Sequence, residues 1–388
     1  MNDRERFKAI CHGEHVDYVP ILGFPGAWGF AGGVLAPTHA RLIDEGMPDW
    51  VDGCIDMDRG KSSEKWNRYW GTTEPVEIDF RTVPKATGIK SEKHVEGERE
   101  VVEYESGALT RQVIGNAVEY SMPEYVRFHV RDRRSWEFYR ERMTPSGTLS
   151  TATIEENCRR FDDRAKPLII TCGSTWGFLR ELMGPEAACT ILYDDPELAH
   201  EIIEWNSWKV ETYVFPVVRR LRPEILAVHE DMCYNHGLLI SPAHFREFCA
   251  PYYRKVATLA RDSGADLLAV DTDGNIMEIV SLLAECGVNG IYPCEVKGGN
   301  DLFQLRRKYP SFIFAGWIEK EIANKGNDGI IEPEMAKVRE FLKQGRYFPN
   351  ADHLIQPLVT FEGLCLCLTA LHDILGNPEG EFPRMRLS

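Results

Sequence analysis

No apolar run in this 388-residue chain approaches the roughly 20 residues needed to span a bilayer, which excludes a helical membrane protein. The opening Met1-Asn2-Asp3-Arg4-Glu5-Arg6 is charged and is followed by no signal-peptide core. The eleven cysteines include no Cys-x-x-Cys pair. A disulfide framework or zinc ribbon is therefore not expected, and reduced, mostly buried thiols in a cytoplasmic protein are. Clustered Lys and Arg are also missing, and the formal net charge is −15. A phosphate-binding face needs such clusters, so nucleic acid is excluded as a partner. There is no strand–Gly-x-Gly-x-x-Gly–helix element. Gly23, Gly26 and Gly29 are spaced by three and do not fit the dinucleotide fingerprint. Internal repeats and low-complexity tracts are absent as well.

What the chain does have is an apolar content of 43%, enough for a large core, arranged as short apolar runs alternating with long helical patterns. Strands are predicted at 18–24, 53–57, 167–172, 225–230, 267–271, 290–293, 312–317 and 347–350. Helices are predicted at 196–220, 242–262, 276–286, 302–309, 333–343 and 361–375. Pro196, Pro242 and Pro333 each suit a first helical turn, where the missing N–H costs little. Asp195 and Ser241 stand as N-caps before two of them. Eight strands with helical crossovers predict an α/β fold, a single (β/α)8 TIM barrel spanning residues 1–388. Between about residues 74 and 130 the pattern changes. Runs at 98–104 and 109–114 flank Ser106-Gly107-Ala108 and predict an inserted antiparallel hairpin, lying over one rim as a lid or an oligomer contact.

Barrel enzymes draw their active-site groups from the C-terminal ends of strands. Here those ends carry Asp56-Met57-Asp58-Arg59, Thr171 to Trp176, His229-Glu230-Asp231, Asp271 and Asp273, Cys294-Glu295, Trp317 with Glu319, and Asn350-Ala351-Asp352-His353. Asp271-Thr272-Asp273-Gly274-Asn275 is the most telling. Carboxylates directly after the apolar Leu267-Leu268-Ala269-Val270 are costly to bury unless paired or bound to a cation. So many acids round one mouth repel each other unless a metal ion or a basic substrate group balances them. Arg59 and Arg180 are the best-placed basic residues.

Several stretches resemble the uroporphyrinogen decarboxylase superfamily. They are Arg4-Glu5-Arg6-Phe7-Lys8-Ala9-Ile10 with Asp17-Tyr18-Val19-Pro20, and Gly237-Leu238-Leu239-Ile240-Ser241-Pro242 with Phe245-Arg246-Glu247-Phe248 and Pro251-Tyr252-Tyr253. The order of elements through 271–275, 292–295, 314–318 and 350–357 is similar too. The resemblance implies a (β/α)8 barrel with its cleft at the C-terminal mouth, and makes a homodimer reasonable. It also implies two branches. One decarboxylates tetrapyrrole acetates without metal or cofactor. The other contains methyltransferases working with corrinoid proteins, many of which activate a thiol on zinc. The decarboxylases share an Arg-rich N-terminal loop, whereas the matching stretch here, Gly23-Phe24-Pro25-Gly26-Ala27-Trp28-Gly29, has no Arg. Asp58 matches the decarboxylase aspartate and His353 its late histidine, while Arg180 stands near the family's tyrosine. Where the zinc enzymes carry His-x-Cys and a late Cys, this chain has Asp271-x-Asp273 and Asp352-His353. Carboxylates and imidazole make a harder site, suited to Mn, Fe or oxygen-ligated Zn.

The resulting expectation is a corrinoid-linked methyltransferase acting on a small methylated substrate, the corrinoid being supplied by a partner protein. Asp271, Asp273, Glu295 and His353 are expected to hold a divalent metal or to handle protons, with Asp271, Asp273 and His353 as the catalytic groups. Asp56, Asp58, Arg59, His229 and Asp231 are expected to bind substrate, and Trp176 to cover it. Trp28 or Trp176 could also meet a cationic substrate by cation–π contact. A decarboxylase of uroporphyrinogen or of a smaller acid is the rival from another reaction class, and a non-catalytic small-molecule-binding barrel is the third reading.

Overall fold

The computed structural model describes residues 1–26, 30–55, 63–78, 84–114, 123–355, 357–378 and 380–387. Its centre is one curled parallel sheet of seven strands that neighbour each other in chain order. These are β1 (Val76–Glu77), β2 (Leu168–Thr171), β3 (Ile225–His229), β4 (Leu267–Asp271), β5 (Gly290–Tyr292), β6 (Ile313–Ile318) and β7 (Tyr347–Ala351). Parallel neighbours need crossovers, and most are helices packed on the outer face. Pro196 and Pro242 occupy first helical turns as expected. Asp195 and Ser241 cap them by accepting from the Leu198 and His244 N–H groups at 3.0 and 3.2 Å.

Strand parity divides the core in two. Leu226, Val228, Leu268 and Val270 belong to a large cluster between sheet and helices. Ile225, Leu267, Ala269, Tyr292, Ile313, Ala315 and Phe348 form a second cluster inside the curl, together with Phe7, Ile10 and Phe30. The N-terminal helix Asp3–His12 thus plugs the end of the sheet from which the strands start. Phe7 stacks on Phe348 with ring centroids 4.9 Å apart. Arg4 reaches Glu224, just before β3, at 2.7 Å.

Several features depart from the sequence reading. The run at 18–24 forms no ladder. Leu22 makes a single parallel bridge to Thr73, and its carbonyl accepts from Asn350 Nδ2 at 2.9 Å, so it touches chain near both edges of the sheet without being a regular eighth strand. Among the described residues, the run at 53–57 supplies Cys54–Ile55, which pairs with Val34–Leu35 in a separate two-stranded sheet. The strand actually used, β1, lies inside the segment assigned to the insertion. That segment holds a four-stranded antiparallel sheet (Ser91–Glu96, Arg99–Tyr104, Leu109–Val113, Glu124–Arg127) rather than one hairpin. Helices also break where one was expected. The pattern at 196–220 divides into Pro196–Tyr213 and Phe215–Leu221, with Pro216 opening the second. Pro333 sits inside the helix Asp328–Leu342 instead of starting it. The cysteines whose side chains are described are free, and all of them but Cys189 are buried. No described helix is long and apolar enough to cross a membrane.

Candidate active site

Inward-facing residues on a strand recur every second position. On β4 the inner face runs Leu267, Ala269, Asp271. On β3 it runs Ile225, Ala227, His229, and the ladder pairs Asp271 with His229 and with Tyr292. Asp271 is therefore the residue with which the β4 inner face emerges from the apolar interior at the C-terminal end. Burial pushes its carboxyl well above the ordinary carboxylate value, and Asp231 and Asp273 push in the same direction. Asp271 can hold a proton where an ordinary aspartate is charged.

Asp273 lies one turn beyond. Its Oδ2 is 3.4 Å from His353 Nε2, so the β4 and β7 ends meet across the mouth. Burial is the largest influence on both and opposes their charges, but the pairing, helped by Lys320 and His229 at Asp273 and by Glu295 at His353, outweighs it. His353 holds the Asp273 carboxylate below its ordinary value, and Asp273 raises the imidazole above its own. The turn between Asp271 and Asp273 is fixed from several sides. The Met232 N–H donates to Thr272 Oγ1 at 3.0 Å. Gly274 has φ +79°, and a Cβ there would lie 2.7 Å from the Tyr234 backbone, so only glycine fits.

Glu295 does not turn into the opening as a free acid. Its Oε1 accepts from Lys320 Nζ at 3.0 Å and its Oε2 from the Gly274 N–H at 2.8 Å. Buried Asn300 ties the same loops together, donating to the Gly274 and Glu295 carbonyls and accepting from the Ile276 N–H, all at 2.8 Å. Asp352 accepts from the Val296 and Lys320 N–H groups at 2.7 and 2.8 Å, and burial pushes its carboxyl up to about 7.

On the β3 side, Asp231 pairs with Arg180 at 2.6 Å and stands 3.9 Å from His229. Between them Glu230 points the other way, into the core. It accepts from the Thr175 N–H and hydroxyl, the Gly177 N–H and the Tyr253 hydroxyl at 2.7–2.9 Å. Thr175, the N-cap of the helix Trp176–Met183, makes no side-chain capping bond of its own. A carboxylate from another strand end caps that helix instead, and so fixes Arg180 relative to Asp231. A side chain at Gly177 would meet the His229 and Glu230 carbonyls at 3.0 and 2.9 Å. Asp231 (φ 47°), Cys294 (φ 59°) and Trp317 (φ 66°) all hold left-handed backbone at these strand ends. Such outliers cluster at functional sites.

The structure thus brings Asp271, Asp273, His353, His229, Asp231 and Glu295 to the C-terminal mouth. Trp176 is not there. It is fully buried in the outer core, because its helix turns that ring away from the opening, and it cannot cover a substrate at the mouth. Asp56, Asp58, Arg59 and Trp28 lie outside the described residues. The proposed metal set does not fit this arrangement. Among the described residues no three His, Cys, Asp or Glu side chains are grouped to hold an ion, and both Glu295 oxygens are engaged. Lys320, two residues past β6, is the cation missed by the sequence reading. Its position three residues after Trp317, beside Glu319 at a strand end, was the available signal.

The uroporphyrinogen decarboxylase (URO-D) family model matches residues 113–373, more than half of the chain. The chain belongs to the uroporphyrinogen decarboxylase family. No curated protein matches it by sequence. A solved structure of a methyltransferase from Methanosarcina mazei is similar in fold, with a TM-score of 0.56 at 15% identity, and the match covers 96% of this chain and 99% of that one. At the mouth of this chain two cations near the strand ends, Arg180 and Lys320, are paired with acids.

Proposed function

We propose that this protein transfers a methyl group from a heteroatom of a small substrate to an acceptor presented at the mouth, the acceptor being the corrinoid of a partner protein. The observation that carries the reading is the acid arrangement. A proton-holding Asp271 lies beside an Asp273–His353 pair, and Arg180 and Lys320 are already paired with acids. When a methyl group leaves oxygen or nitrogen, the bond to the heteroatom breaks and that atom needs a proton. Asp271 donates it, and His353, whose charged form Asp273 favours, restores it. His229 and Asp231 orient the substrate from the adjacent strand. A corrinoid carried by the partner would supply the cobalt nucleophile that accepts the methyl group. Asp273 is 39% exposed and His229 48%, which leaves room for a second protein to approach. We read the curled sheet as a (β/α)8 barrel that closes through the segment around Leu22. The methyltransferase fold of the Methanosarcina mazei structure is compatible with this reading.

A decarboxylase acting on a polycarboxylate needs several free cationic anchors, and Arg180 and Lys320 are already paired with acids. The test is methyl transfer from a panel of methoxy, methylamino and methylthio compounds to a reduced corrinoid protein. Asp271→Asn is expected to lower the rate about 100-fold or more. An unchanged rate in this variant, or robust decarboxylation of uroporphyrinogen by the wild type, overturns the proposal.

A further inference from the structure

A second cavity opens beside the mouth. It has a volume of about 430 Å³ and lies between the ends of β2 and β3 and the helix Pro196–Tyr213. That volume is typical of small-molecule sites. Its lining is mostly apolar, with Phe178, Val210 and Tyr213 among the walls. The side nearest the mouth is formed by Thr171 and His229, and His229 is the ladder partner of Asp271. The cavity and the acid site therefore share a wall.

The charged groups lining it are Lys209 and Glu181, with His229 and Tyr213 as the other titratable groups. Lys209 lies with its ammonium 4.7 Å from the Trp205 ring and 5.3 Å from the Phe178 ring. It makes no ion pair among the described residues. Burial lowers its pKa, partly offset by the charge of Glu181. A cation held against aromatic faces at an apolar wall, without a carboxylate in contact, is a ready anchor for an anion. Glu181 is exposed at the rim and opposes that anion at longer range.

We propose that this cavity takes the carboxylate-bearing end of a small, largely apolar substrate, with Lys209 pairing the anion and the apolar body lying along Phe178 and Tyr213 towards His229. The role as substrate subsite rests on the methyl-transfer reading above. The geometry places the anionic end away from the acids of the mouth, and so reconciles an acidic mouth with a singly anionic substrate. It excludes molecules with several carboxylates, which would have to bring some of them against Asp271 and Asp231.

Isothermal titration of the full-length protein with benzoate and its neutral counterpart benzamide tests this without any turnover. Benzoate is expected to bind saturably and more tightly than benzamide. Lys209→Met keeps the stem packed on the rings and is expected to weaken benzoate roughly tenfold, leaving benzamide unchanged. Glu181→Gln is expected to shift benzoate the opposite way, to tighter binding. No saturable benzoate binding, equal affinity for the two probes, or an unchanged benzoate affinity in Lys209→Met overturns the proposal. The two readings fail separately. Lys209-dependent benzoate binding with methyl transfer insensitive to Asp271→Asn removes the methyl-transfer role and leaves the cavity assignment standing. Methyl transfer that needs Asp271, with no Lys209-dependent binding, does the reverse.

Discussion

Replacing Asp273 by Asn separates the charge of the Asp273–His353 pair from its shape. The two groups are 3.4 Å apart. Coulomb attraction at that distance is about 1 kcal/mol in bulk water and about 5 kcal/mol at an effective dielectric of 20. Asp273 is 39% exposed and His353 21%, so solvent screening selects the lower end, about 1 kcal/mol. Removing the carboxylate should therefore lower the His353 pKa, because Asp273 is what raises it against burial. The stability signature has a definite sign. His353 has a raised value in the folded state, so its contribution is present below the unfolded value and is lost as pH rises through the folded one. Asp273 has a lowered value, so its contribution is present above the unfolded value and is lost as pH falls through the folded one. The wild type should therefore exceed Asp273→Asn in stability most between about pH 4 and 6.5, the ordinary values of the two groups, and the gap should close on both sides. Titration of the His353 ring protons by NMR, assigned with His353→Gln, reads the first effect, and urea melts across pH read the second. An unchanged or raised His353 midpoint in Asp273→Asn would refute the pairing.

Two further outcomes follow from the same geometry. Glu230→Leu removes the acceptor of four buried donors and should cost on the order of 3 kcal/mol or more in urea unfolding; a loss below about 1 kcal/mol would mean the helix Trp176–Met183 is not held by that carboxylate. Asp271 has a raised value in the folded state, so its ionisation costs stability increasingly as pH rises above the ordinary aspartate range. Asp271→Asn should therefore gain on the wild type in thermal melts between pH 5 and pH 8, and a gap independent of pH would count against the buried, proton-holding carboxyl.

Strands with long apolar runs were legible in the sequence. Leu267–Asp271 has the expected limits, and β2, β3, β5, β6 and β7 differ from theirs by one or two residues, because a strand buried on both faces reads as an uninterrupted hydrophobic run. Val76–Glu77 escaped detection because a two-residue strand after Pro75 carries no such run. Cys54–Ile55 misled in the opposite way, its apolar run serving a separate small sheet. The site shows the same division. Asp271, Asp273 and His353 stand out because acids and imidazole next to buried strands are costly. The partners of Glu295, in contrast, are a lysine on the β6 loop and a backbone N–H on the β4 loop. Such contacts depend on how loops from different strands meet, which residue spacing does not encode. The Trp176 expectation failed for a related reason. Position after a strand does not fix which way the first turn of the following helix points its ring.

Directly under His229 and Asp271, the inner face carries Ala227 and Ala269, and β6 contributes Ala315 to the same interior. Methyl groups line the inner face here, and the Phe30, Tyr292 and Phe348 rings share that interior. Exchanging one of these alanines for valine or leucine would fill part of that interior without touching any acid. Relatives of this chain could thus trade one guest for a smaller or larger one by changing carbon count alone, while the proton-handling groups above stay where they are.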